Sequence, residues 1–340
     1  MKVAVLSGKQ QFSLKDVSQP VPNSNQVVVK VGYCGICGSD VHAYHSLMFP
    51  VGTILGHEFA GIVERTGSEV THLQPGDRVV VRPPGICGQC QWCEKGELAL
   101  CEQHFENTIG LKVPGGFAEF VLVEDYQALP LKDGVSFREA AQAEPLAVCL
   151  HATKASNINM GDSAVIFGAG PIGLLILQMA KAAGAHPVYV VETAEFRRRK
   201  AKDLGADIVI DPTEREVTKK ILSDIPNGVN LVIDCAGKEV TINQAINVCK
   251  KGGQITLVGA APEPIKVDQL RWLQKGIKIH ASMGYFIEDF RVALECIENK
   301  RFDLEGLVSH VVSLDEIEKG FELLNDPNST LKVLIKPSVV

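Results

Sequence analysis

The chain lacks any long run of lysine or arginine. With 34 basic against 40 acidic residues, a formal charge of −6 and a pI near 5.9, it carries no electrostatic footprint for nucleic acid or an anionic membrane. "RRRK" at 197–200 is its one short basic cluster. The N-terminal "MKVAVLSGKQ" has neither the apolar core nor the small-residue cleavage site of a signal peptide, and the expected compartment is the cytoplasm. No apolar stretch is uninterrupted for the length of a bilayer: in the run from Ala164 to Ala185, Pro171, Gln178, Lys181 and repeated glycines suit a buried strand, turn and helix instead. Internal repeats and low-complexity tracts are missing as well.

What remains is an ordinary globular composition, 46% hydrophobic and 22% charged. At roughly 100 to 200 residues per domain, 340 residues imply two. Residues 1 to 130 hold short β-branched runs such as "VVVKV", "AGIVERTG" and "DRVVV", separated by turn signals like "PVPNSN" and "QPGD". These predict a mainly β, barrel-like region. After Gly161, apolar runs recur about every twenty residues with helical stretches between them, the rhythm of βαβ units and a doubly covered parallel sheet. Beyond 283 the chain reads as helix, loop and strand, too short for a separate domain. The expected α/β organisation is a doubly wound parallel-sheet domain over 148–282 inserted into a discontinuous, mainly β partner, 1–147 and 283–340.

"GAGPIG" places Gly168, Gly170, Pro171, Ile172 and Gly173 between the strand "SAVIF" and an apolar helix. In that context the spacing predicts a dinucleotide loop whose helix start receives the phosphates. Glu192 follows about twenty residues later at the end of "VYVVE", where a carboxylate accepts from the ribose hydroxyls and repels a 2′-phosphate, favouring NAD over NADP. Arg197 to Arg199 lie nearby and argue the other way.

Ten cysteines in a reducing compartment point to metal or catalytic use. Cys87, Cys90, Cys93 and Cys101 form C-x2-C-x2-C-x7-C, the donor set of a closed, structural zinc in a lobe at about 84–104; an iron–sulfur cluster is the alternative. Cys149, Cys235, Cys249 and Cys296 sit in apolar segments and read as packing. A second set is open. Cys37 in the loop-like "GICGSDVH", His57 in "GHE", and Glu58 or Glu144 offer mixed ligation that leaves one position for water or an alcohol oxygen.

"GICGSDVH", "GHEFAG", "PGDRV", the four-cysteine loop, "GGFAEF", "EPLAV" and "GAGPIG", in this order along nearly the whole chain, resemble the zinc-containing medium-chain dehydrogenases, most closely their polyol, sorbitol dehydrogenase-like branch. The resemblance implies a GroES-like catalytic domain, a Rossmann coenzyme domain, a cleft between them, two zinc ions per chain, NAD, and a homodimer or homotetramer. It implies catalytic zinc on Cys37 and His57 with Glu58, Glu144 or both. Ser39 is then placed to take the alcohol proton, His42 matches the proton-relay histidine, Asp40 accepts from the free ring nitrogen of His57, and Lys332 matches a residue at the coenzyme pyrophosphate. Tyr44, His45, Phe49 and "SMGYF" at 282–286 are the candidate pocket walls. The expected reaction is hydride transfer from a polyol or diol to NAD. Threonine and butanediol dehydrogenases are alternatives within the class, and a zinc-loop nucleic-acid-binding or nucleotide-sensing protein is the alternative outside it. Cys34 completes a "CGIC" that imitates a redox pair but lacks the thioredoxin-type surroundings.

Overall fold

The computed structural model describes residues 1–97, 100–261 and 263–338. The chain divides into two compact units, one of residues 1–147, 286–326 and 330–340, the other of 148–285 and 327–329.

The first unit begins with a hairpin, β1 (Lys2–Gly8) and β2 (Gln11–Asp16). Its main sheet takes β3 (Gln26–Gly35), β4 (Glu58–Thr66), β5 (Arg78–Val81), β6 (Phe120–Glu124) and β7 (Ala128–Pro130) from the N-terminal part. β14 (Val308–Ser313) and β15 (Lys332–Lys336) join from the C-terminal part. The order is β14-β15-β3-β4-β5-β7, with β6 also paired to β3. β3 is central, and Val27, Val29 and Val31 on it pack with Leu55, Phe59, Phe117, Phe321 and Ile335 in one core. Successive strand residues alternate faces, so β-branched residues on both faces suit a strand with neighbours on every side.

"GICGSDVH" is only partly a loop. The chain turns helical at Gly38 and stays so to Ser46. Cys37 is the extended N-cap, and Asp40, three residues on, returns its Oδ2 to the Cys37 amide at 2.9 Å, the reciprocal bond of a capping box. Tyr44 on this helix is not a pocket wall. It is 7% exposed, stacked on Phe12 at 5.2 Å and tilted against Phe321 at 4.7 Å, because an aromatic ring on the inner face of an amphipathic helix gains most by joining the core. His45 Nδ1 lies 2.5 Å from Gln10 Nε2, and Phe49 packs at the core's edge.

The second unit is a six-stranded sheet in the order β10-β9-β8-β11-β12-β13, parallel throughout. Its strands are β8 (Ala164–Phe167), β9 (Val188–Val191), β10 (Ile208–Ile210), β11 (Val229–Asp234), β12 (Cys249–Leu257) and β13 (Lys278–Ala281). This is the doubly wound Rossmann order, which places a ligand crevice beyond the carboxyl end of the first strand. The apolar run 164–185 resolves into β8, the glycine loop and helix Pro171–Ala182. Among the described residues no helix is long and apolar enough to cross a membrane.

Candidate active site

After β8 the chain turns sharply at Gly168, φ +92°, a conformation that strains any residue with a Cβ. A Cβ on Gly173 would collide with the Gly168 carbonyl, so the helix start lies directly on the turn. Gly170 caps the helix and Pro171 occupies its first turn, with φ preset and no amide to leave unpaired. Arg197 Nη1 stands 3.9 Å from where a Gly170 Cβ would be. Glu192 is 8% exposed. Its Oε2 accepts from the Ala169 amide at 2.8 Å, and its Oε1 from the Ala194 amide at 2.9 Å and the Thr193 hydroxyl at 3.1 Å. Two of the nearby arginines are occupied elsewhere: Arg198 pairs with Asp211 at 2.7 Å and Arg199 with Glu195.

The four lobe cysteines gather as their spacing predicts. Their sulfurs lie within 4.8 Å of one another, with Cys90 to Cys93 at 3.6 Å and Cys87 to Cys93 at 3.9 Å. Four sulfurs at tetrahedral angles, each 2.3 Å from one zinc, stand about 3.8 Å apart, so the donor set fits that ion. The amides of Glu102, Cys93 and Trp92 hold the Cys90 thiol down at about 6, while burial and the hydrogen bond with Cys90 push its neighbour Cys93 up to about 12. None of the ten cysteines is in a disulfide.

Cys37, His57 and Glu58 form the second group, with donor atoms again within 4.8 Å of one another. His57 and Glu58 end a turn and begin β4, while Cys37 follows the end of the neighbouring β3, so strand pairing of Gly35 with Glu58 brings the segments together. Asp40 is wholly buried and serves both: Oδ2 takes the Cys37 amide, Oδ1 the Gly56 amide at 3.4 Å. The expected hydrogen bond from His57 to Asp40 is not formed. Nδ1 stands 3.7 Å from Oδ1 and has no hydrogen-bond partner, because the two backbone amides hold the carboxylate in place. Burial disfavours the protonated His57 ring, yet Asp40 and Cys37 outweigh it and raise its pKa well above the ordinary value. A thiol, a buried imidazole and a buried carboxylate converging in this way have the chemistry of a metal-ligand set. Glu144 stands outside the group of three, in the first turn of helix Ala143–Ala155; burial first, with Glu58 adding to it against the pull of His57, pushes its pKa to about 7.

Ser39 and His42 lie on the helix after Cys37, three residues apart and half-buried, hence on one face. Lys332 is 4% exposed and pairs with Glu58. The first lysine of the otherwise apolar run "LKVLIKP" was its only sign in the sequence. A cavity of about 730 Å³, lined by Pro20, Ile54, Ile86, Phe120 and Tyr126 among others, contains none of the candidate ligands.

Two family models match the chain, the alcohol dehydrogenase GroES-like domain over residues 23–133 and the zinc-binding dehydrogenase over 171–299. A sorbitol dehydrogenase of Halalkalibacterium halodurans is 34% identical across 97% of both chains. The chain belongs to the zinc-binding alcohol dehydrogenase family. It is an oxidoreductase of the medium-chain kind, with zinc and a nicotinamide coenzyme as the family's cofactors. An (R,R)-butanediol dehydrogenase of Bacillus subtilis is 32% identical over 99% of this chain and all of its own. A zinc-binding dehydrogenase of Sinorhizobium meliloti, crystallised with NADP, superposes with a TM-score of 0.91 at 34% identity, covering 99% of each chain.

Proposed function

We infer that this dehydrogenase oxidises a secondary alcohol of the polyol or diol class to the ketone, passing hydride to NAD. The observation that carries the reading is the meeting of Cys37, His57 and Glu58 within 4.8 Å, in a chain similar to a sorbitol and a butanediol dehydrogenase.

Cys37, His57 and Glu58 would hold the catalytic zinc, with Glu144 beside them. Zinc supplies Lewis acidity there, lowering the pKa of an alcohol oxygen toward neutrality. Ser39 Oγ accepts the hydroxyl proton, and His42, on the same helix face, relays it toward solvent. Asp40 orients the site through the Cys37 and Gly56 amides and faces Nδ1 of His57, leaving the other ring nitrogen for the metal. The helix start at Gly170, Pro171 and Ile172 receives the pyrophosphate, with Arg197 adding positive charge. Glu192 accepts from the adenosine ribose. The four lobe cysteines would hold a second zinc and, filling every position, brace the lobe without touching substrate.

NAD is favoured because Glu192 is fixed and acidic while Arg198 and Arg199 are committed to acids, although the Sinorhizobium relative carries NADP. A reducing, cytoplasmic setting agrees with the free thiols, and a homodimer or homotetramer with the open edge of β13.

The test is NADH formation from a panel of polyols, diols, sugar phosphates, sugar acids and threonine, together with metal analysis. Turnover of a polyol or diol and two zinc ions per chain are expected. Activity confined to threonine would sink the substrate class, and a chain with one zinc that keeps full activity would sink the catalytic site.

A further inference from the structure

Nothing in the proposed reaction uses Lys332, yet its ammonium is inside the site. Lys332 opens β15 and Glu58 opens β4, and these strands are not neighbours, since β3 runs between them. Gly35 on β3 faces Glu58 on one side and Leu334 on the other. A Cβ on Gly35 would collide with Glu58 Oε2 and stand 2.9 Å from Lys332 Cε. The lysine therefore reaches the carboxylate through the gap of a residue without a side chain. Nζ also donates to the Ile36 carbonyl at 3.0 Å, which ties it to the segment leading into Cys37.

A lysine ammonium has only donors and cannot ligate a cation, but it can occupy a carboxylate oxygen. Thiolate, imidazole and a carboxylate acting through both oxygens would present four protein donor atoms and close a tetrahedral ion; through one oxygen they leave a position open. The geometry points to Lys332 as the positioning residue that restricts Glu58 to a single ligating oxygen and so keeps the metal accessible to an alcohol. This rests on the reading of Cys37, His57 and Glu58 as ligands.

The test exchanges cobalt(II) for zinc in the full chain and records the visible spectrum, with Cys37→Ser as the blank for the four-cysteine site. Lys332→Met is expected to alter the Cys37-dependent bands and to retain the metal against a chromophoric chelator by on the order of 10-fold more tightly. Its kcat should fall by about 10- to 100-fold, and Lys332→Arg should restore the spectrum. A folded Lys332→Met protein with unaltered bands and metal retention would overturn the proposal. Should that variant not fold, Glu58→Gln is compared with Glu58→Gln plus Lys332→Met, the double variant leaving no unpaired buried charge. Identical spectra are expected, because the lysine acts through the carboxylate; a further change on adding Lys332→Met overturns it. If Cys37→Ser leaves the cobalt spectrum of the parent unchanged, the ligand reading fails instead.

Discussion

The backbone amide of Ala169 donates to Glu192 Oε2 at 2.8 Å, fastening the acid at the end of β9 to the glycine loop after β8. The carboxylate is therefore held before any coenzyme arrives and pays little ordering entropy on binding. On the proposed reading its charge would repel a 2′-phosphate. The protein should prefer NAD, and Glu192→Ala should raise KM for NAD by on the order of 10-fold while narrowing the preference, as measured by steady-state kinetics with both coenzymes. A parent enzyme that works better with NADP would contradict this use of Glu192.

Cys34 and Cys37 answer differently to substitution. Cys34 is fully buried, and a Cβ placed on Gly56 or Gly116 would come within 2.8 Å of its sulfur. Burial first, with the charges of Asp40 and Glu58, pushes its thiol pKa well up, which makes it a poor redox nucleophile. Cys34→Ser should keep most activity and lose about 1 to 3 kcal/mol of stability through its buried hydroxyl. Cys37→Ser should abolish turnover with little change in melting temperature. Equal losses of activity would restore the redox pair as an explanation.

Glu144 sets a pH dependence in the metal-free protein. Burial, reinforced by Glu58 against His57, raises its pKa from 4.5 to about 7 in the fold, so between those values the folded state binds a proton that the unfolded chain has lost. Stability must then fall as pH rises through that window, by up to about 3 kcal/mol, and level off above it. His57, raised by Asp40 and Cys37 despite burial, acts with the same sign at higher pH. Denaturant titrations of chelator-treated protein should show this decline, and Glu144→Gln should remove its lower part. A variant with the full slope would acquit Glu144.

β13 is the outermost strand of its sheet, and three of its four residues are exposed. Ile279 on it, with Leu270, Leu273 and Met283 nearby in sequence, shows large apolar side chains to solvent. An open edge flanked by apolar residues favours pairing with a second copy. Sedimentation should give a dimer or tetramer, and Ile279→Lys combined with Leu273→Glu should shift it toward monomer. A parent chain that is monomeric at micromolar concentration would refute the arrangement.

Local sequence was enough to announce the four-cysteine group and the glycine loop, because each is defined by residue types at short spacings: four cysteines within fifteen positions, and three glycines between a strand and a helix. The alternation of apolar runs likewise determined a parallel sheet after Gly161, since only strands buried on both faces are that uniformly apolar. The start of a helix inside "GICGSDVH" was harder to see. It depends on a hydrogen bond from the Cys37 amide to Asp40, and a cysteine is not a usual cap.

Tertiary structure alone decided what depends on distant segments meeting. Strand pairing selected Glu58 rather than Glu144 for the group of three. It also brought Lys332 to Glu58 from 274 positions further along the chain, where its position in an apolar strand disclosed nothing of its partner. Tyr44 went to the core because Phe12 and Phe321 came to it from two other elements. Spacing along a chain governs contacts within one turn or loop, whereas a buried charge takes its role from whichever strand the sheet sets beside it.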